Sequence, residues 1–114
     1  IMSENVQTRI LIVDDEPYNL MGLKIVLQQA EKELLKEIWK ERLASQRAHL
    51  VNQDKHEPKS TICTLIDQVS NGLEAYNAFR DAYFNGKIRY SLVFMDCSMP
   101  IMDGYQATSK IRQF

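Results

Sequence analysis

Two runs of consecutive apolar residues, Ile10-Leu11-Ile12-Val13 and Leu92-Val93-Phe94-Met95, each end abruptly in aspartate. The first stops at Asp14-Asp15 and the second at Asp96. Continuous apolar runs this short read as strands buried on both faces of a parallel sheet. In open α/β sheets the reactive groups gather just beyond the carboxyl ends of such strands. Two strands finishing in aspartate there would bring three carboxylates to one point. Like charges that close repel unless something positive sits among them. Mg²⁺ is the expected cation, because it prefers hard oxygen ligands and often pairs carboxylates with a phosphate. The competing reading is that these aspartates only cap the helices and turns that follow, and it is strongest for Asp15 taken alone.

The bulk properties narrow the class. A chain of 114 residues holds one domain, and 45% apolar with 25% charged residues is ordinary for a globular protein. A net charge of −1 leaves no basic footprint, so no nucleic-acid partner is expected. No apolar stretch reaches the length of a membrane span and no signal-peptide pattern opens the chain, so no membrane contact is expected. Cys63 and Cys97 lack any CxxC spacing and read as free thiols in a reducing compartment, with the cytoplasm as the expected location. The opening Ile1-Met2 reads either as a vector scar or as a cut from something longer, the second being the expectation.

Along the chain, Arg9–Val13 reads as the first strand. Asp15-Glu16-Pro17 then has the form of a helix start. Leu20, Leu23, Leu27 and Ala30 fall at helical spacing. Gly22 inside that helix either permits close packing or serves no purpose. No glycine or proline occurs from Leu23 to Glu57, and Leu34, Leu35, Ile38, Trp39 and Leu43 continue an apolar face. The helix therefore either runs on past Ala30 or breaks and restarts near Glu31. The stripe around Trp39 either covers the domain's own surface or docks a partner helix. Glu33 with Lys36 and Glu37 with Lys40 sit at i,i+3 on the polar side.

Asn52–Ser60 is a polar loop ending near Pro58, and Thr61–Val69, β-branched and alternating, reads as the second strand. After a Ser70-Asn71-Gly72 turn, Leu73–Asn85 reads as a helix with Leu73, Tyr76 and Phe79 inward, closed by Asn85-Gly86. Tyr90–Met95 is the third strand, and Tyr105–Phe114 begins a helix after the Pro100 to Gly104 loop. Strand and helix alternate three times, the pattern of right-handed βαβ units on a parallel sheet. Of the three aspartates, Asp96 is the better nucleophile, alone at the tip of the most apolar strand and followed by Cys97-Ser98-Met99-Pro100. A carboxylate can attack a phosphoryl group to give an acyl phosphate if the incoming charge is neutralised, and a metal held by Asp14 and Asp15 would supply that.

ILIVDDEPYN at Ile10–Asn19, NGLEAYNAF at Asn71–Phe79 and LVFMDCSMPIMDGYQAT at Leu92–Thr108 together resemble a response-regulator receiver domain. More narrowly, they resemble the receiver of a eukaryotic hybrid histidine kinase. The third block is the most specific, and the likeness covers about two thirds of the chain, leaving out Glu31–Ser60. The resemblance implies a flavodoxin-like three-layer α/β fold with a parallel sheet, here β1-α1-β2-α2-β3-α3 over residues 1–114 with a helical insertion at 31–60. It implies that Asp96 accepts a phosphoryl group from a histidine kinase or histidine-phosphotransfer partner. Mg²⁺ would be bound by Asp14, Asp15, Asp96 and the backbone carbonyl of Ser98. Pro100 and Gly104 match the residues that shape the loop after the acceptor strand. Ser98 stands where the family varies the residue that tunes hydrolysis of the acyl phosphate. An aspartate-nucleophile phosphatase of the haloacid-dehalogenase type would need an acid at that position, which Ser98 is not.

Two departures from the family pattern matter. Asp15 and Asp96 lie 81 residues apart, and the excess is the insertion. Its seven basic and six acidic residues nearly balance, and His49 and His56 lack cysteine partners at zinc spacing. The chain also supplies three strands where the family has five, without the hydroxyl residue of the fourth or the lysine of the fifth. The expectation is a piece of a longer receiver, with completion by a second polypeptide or self-association of two copies along an open β3 edge as alternatives. An incomplete receiver serving only as an interaction or dimerisation module is the competing function.

Overall fold

A computed structural model describes residues 5–49 and 59–114, and for 46–49 the backbone alone. The elements are β1 (Gln7–Val13), α1 (Pro17–His49), a 3₁₀ turn (Ile62–Leu65), β2 (Ile66–Val69), α2 (Gly72–Asn85), β3 (Ile88–Met95) and α3 (Gly104–Ile111). They fall into two compact units. One takes the chain up to Gly22 and resumes at Leu65; the other is Leu23–Thr64.

In the first unit three parallel strands lie in the order β2-β1-β3. This is the order of the first three strands of a flavodoxin-like sheet, and the expected α/β class holds. β1 is central because its apolar run can be covered on both faces: Leu11 and Ile12 are wholly buried and Val13 nearly so. Register then decides where the aspartates go. Val13 pairs with Met95, so the next residue on each strand, Asp14 and Asp96, leaves the sheet side by side. The N–H of Asp96 still donates to the Val13 carbonyl at 3.0 Å, which holds the two ends level. Upstream, β3 carries an extra residue, Ser91, opposite the Arg9/Ile10 step, a bulge that the sequence did not reveal.

Leu11, Val13, Ala75 and Met99 form the buried centre on the α2 side, with Val69, Phe79, Tyr90, Val93 and Met95 packed around it. The expected inward set on α2 needs correction. Leu73 is 39% exposed, and the wholly buried residue is Ala75. The helix approaches too closely for leucine, since Gly72 at its first turn already abuts Met102, Asp103 and Ala107. Gly86 takes φ 66° and its N–H donates to the Ala82 carbonyl, the left-handed C-cap that Asn85-Gly86 announced.

The second unit carries most of α1 and settles one open question. The helix runs without a break from Pro17 to His49. Leu35, Ile38 and Trp39 share a half-buried face, whereas Leu34, one step round the helix, is 61% exposed and does not belong to it. The expected ion pairs form at 3.8 Å (Glu33–Lys36) and 3.5 Å (Glu37–Lys40), both at the surface. A Cβ on Gly22 would meet nothing within 4 Å, so close packing is not its purpose.

The second strand is shorter than the expected Thr61–Val69. The Glu31 carboxylate accepts the N–H of Thr61 at 3.2 Å and of Ile62 at 3.0 Å, and also the Ser60 hydroxyl. Thr64 donates through both N–H and hydroxyl to the Thr61 carbonyl. With these backbone groups satisfied outside the sheet, this stretch winds into the 3₁₀ turn and pairing begins only at Ile66. Residues 52–58 of the expected loop, and His56, lie outside the described residues. Among the described residues no helix is long and apolar enough to cross a membrane, and both cysteines are free thiols.

At the amino ends of the strands a polar group ties the sheet together. Arg9 on β1 grips Asp67 on β2 with two hydrogen bonds, 2.9 and 2.8 Å, and the Tyr90 hydroxyl on β3 donates to the same carboxylate at 2.8 Å. Arg9 holds the Asp67 carboxyl below its usual range, against the opposing effect of partial burial, with help from Tyr90. Burial, then the hydrogen bond to Asp67 and its charge, pushes the Tyr90 phenol up to about 12. A lowered carboxyl stabilises the fold above its ordinary value and loses that contribution as pH falls through the folded one. A raised phenol stabilises below about pH 10 and loses the contribution as pH rises through about 12. The gap in urea midpoint between wild type and Tyr90→Phe should therefore stay constant from about pH 7 to 9 and close between about pH 10 and 12. A gap that persists undiminished to the alkaline end would show that Tyr90 titrates as a free phenol.

Candidate functional site

Asp14 and Asp15 leave β1 and Asp96 leaves β3 at the same end of the sheet, and one carboxylate oxygen from each lies within 4.8 Å of the others. Asp14 and Asp96 are half-buried and Asp15 is exposed. Each strand-end carboxylate is oriented by its own backbone. Asp14 Oδ1 accepts the N–H of Glu16 at 3.0 Å, and Asp96 Oδ1 accepts that of Ser98 at 3.4 Å. These are i to i+2 turns of the kind short acidic side chains favour. They occupy one oxygen of each carboxylate and leave further acceptor capacity free.

None of the ion pairs among the described residues involves Asp14, Asp15 or Asp96. Three carboxylates this close repel one another, and a bound cation would offset that repulsion. The donor set is all hard oxygen, which fits Mg²⁺ or Ca²⁺ and not a thiophilic metal. The capping role falls to Asp14 and Asp96, each of which takes the N–H two residues on, and not to Asp15, for which it was most expected.

The segment from Asp96 to Gly104 forms a closed loop over the strand end. Gly104 N–H donates to the Cys97 carbonyl at 3.2 Å, and Gly72 N–H donates to the Met102 carbonyl at 3.0 Å. Met99 is buried and anchors the loop in the core. Gly104 is required by space: a Cβ there would run into the backbone carbonyl of Asp96. The Pro100 carbonyl accepts the N–H of Met102 at 2.9 Å, and Ile101 between them has φ 71°. Asp103 caps α3, accepting the Gln106 N–H at 2.8 Å while Gln106 reaches back to the Asp103 N–H.

All six sequence-designated residues thus gather at one end of the sheet, with Ser98 and Pro100 exposed on the loop. Three features escaped the sequence reading. The capping box was legible as Asp103 followed by Gln106. Nothing marked Met99 as an anchor, and nothing marked Ile101, since a β-branched residue is among the last expected at positive φ. A cavity of about 530 Å³ beside β3 and α3 is lined by Met95, Cys97, Tyr105 and Arg112 among others, but by none of the three carboxylates.

No family model and no solved structure matches the chain. Curated proteins do. "Probable histidine kinase 1" of Oryza sativa subsp. indica is 49% identical over 43% of this chain and 4% of its own length. "Two-component response regulator 24" of Arabidopsis thaliana is 47% identical over 41% of this chain and 30% of its own. "Hybrid signal transduction histidine kinase B" of Dictyostelium discoideum is 41% identical over 43% of this chain and 2% of its own. The chain is a relative of two-component histidine kinases and response regulators. Its likeness to a receiver domain, first carried by three sequence blocks, therefore stands, and the parallel sheet agrees with it. The receiver-like chain spans a small fraction of the kinases and about a third of the regulators it matches.

Proposed function

We propose that this chain is the phosphoacceptor receiver module of a two-component phosphorelay. Asp96 takes the phosphoryl group from a phosphohistidine on a histidine kinase or histidine-phosphotransfer protein. One carboxylate oxygen of Asp96 forms the new bond to phosphorus, the phosphorus–nitrogen bond breaks, and the imidazole leaves with the electron pair and regains a proton. Asp14, Asp15, Asp96 and the backbone carbonyl of Ser98 are the groups that would hold Mg²⁺. Bound there, the ion supplies positive charge against the phosphoryl oxygens. The Ser98 N–H orients the Asp96 carboxylate, and the small Ser98 hydroxyl would leave room for a water that hydrolyses the acyl phosphate. The observation that carries this reading is the meeting of three carboxylates at adjacent strand ends, on a chain related to histidine kinases and response regulators.

The test is intact mass after incubation with acetyl phosphate. One added phosphoryl group is expected with Mg²⁺ and none after EDTA treatment. Asp14→Asn and Asp15→Asn should each raise the Mg²⁺ concentration for half-maximal labelling by about tenfold or more. Labelling that persists undiminished in EDTA would sink the proposed metal role. Failure of the wild type to label would leave the second reading, a module that only binds. The observation favouring it is that β3 has β1 along one edge and, among the described residues, no strand along the other.

A further inference from the structure

Ile101 is held in the most unfavourable backbone conformation of the site loop. Among the described residues it is the non-glycine residue with positive φ, 71°, and its side chain is 77% exposed. The hydrogen bond from Met102 N–H to the Pro100 carbonyl closes a three-residue turn around it. A turn of this size with positive central φ is rare and strained, and a β-branched residue suits it poorly. Glycine or asparagine would occupy the position more easily.

The fold gives nothing back for this choice. Met99, two residues earlier, supplies the buried anchor, and the backbone bonds at Met102 and Gly104 fix the loop without any help from the Ile101 side chain. A large apolar group held in water at a backbone cost points to contact with something outside the chain. Its place says what. The loop departs from Asp96 and returns to it, with Gly104 against the Asp96 carbonyl, so Ile101 stands at the tip of a loop whose base is the acceptor. A protein that brings a phosphohistidine to Asp96 is large enough to reach this loop. A small donor has no need to touch it.

We infer that Ile101 is an apolar specificity contact for the protein that carries the phosphohistidine. The inference rests on the phosphoacceptor reading and names how that same site selects its donor. Ile101 takes no part in the transfer step.

The test compares two donors on the full chain: acetyl phosphate, and a purified histidine-phosphotransfer protein charged on its histidine and shown to label the wild type. Ile101→Gly should melt at a higher temperature than wild type, because the strain is relieved. Its labelling by acetyl phosphate should stay within about twofold, while KM for the protein donor rises about tenfold with kcat little changed. Ile101→Val, which keeps an apolar branched side chain, should retain near wild-type KM. A wild-type KM for Ile101→Gly with the protein donor would overturn the inference. So would an equal loss with both donors, which would make Ile101 a part that positions the acceptor. A wild-type chain that acetyl phosphate cannot label would instead remove the phosphoacceptor reading itself, and this inference with it.

Discussion

Asp96→Asn should abolish labelling by acetyl phosphate and leave the fold intact. The two halves of that result have separate causes. Chemically, the amide has no carboxylate oxygen to offer phosphorus, and a single acceptor admits no partial loss. Structurally, the strand end is held by the main chain, through the Asp96 N–H on the Val13 carbonyl at 3.0 Å. An asparagine Oδ1 can accept the Ser98 N–H as the aspartate does. The substitution also removes one of three like charges from the cluster, so the melting temperature should be unchanged or slightly raised. Circular dichroism and mass spectrometry on the same sample separate lost chemistry from lost structure. A label that survives on Asp96→Asn would place the acceptor on Asp14 or Asp15 and reverse the proposed roles.

How much of this was legible depended on whether the deciding interaction is local or long-range. The two apolar runs gave the strands, because four consecutive buried residues admit few alternatives when polar groups bound them. Their terminal aspartates gave the carboxylate cluster, because parallel pairing at matched register has only one place for them to go. Gly86 was readable, since a left-handed cap is written into Asn-Gly. The head of β2 was not. Thr61 to Leu65 alternates like a strand, but the carboxylate of Glu31, thirty residues earlier, takes the N–H groups of Thr61 and Ile62. Leu73 was misplaced for a related reason. Its helical spacing suits an inward face, but the closeness of α2 to the α3 region favours Gly72 and Ala75 there. Ile101 left no signal because the strain at that position is local, while the reason to tolerate it lies outside the chain.

Gly104→Ala should be the most damaging small substitution in the site. The glycine's φ is not positive, so the cause is not conformational freedom. An added Cβ would overlap the Asp96 carbonyl oxygen, with the Asp96 carbon at 3.0 Å and the Cys97 Cα at 3.1 Å behind it. All three are backbone atoms, and neither side of the contact can swing away as a flexible side chain would. One side is pinned by the pairing of Asp96 with β1. The other is pinned by the Asp103 capping box and by Ala107, which is wholly buried one turn on. Overpacking commonly costs about 1–3 kcal/mol, and a rigid contact of this kind belongs at or above the top of that range. For a domain of this size that is roughly 10–20 °C in Tm. Any relief must move the Asp96 carbonyl, so labelling by acetyl phosphate should also slow at temperatures where the variant remains folded, by about a hundredfold if the acceptor shifts by an ångström. Gly22→Ala is the control, since its Cβ meets nothing within 4 Å and alanine in a helix interior should stabilise by about 1 kcal/mol. If both variants melt together, the close approach of Gly104 to the acceptor strand is not what shapes this loop.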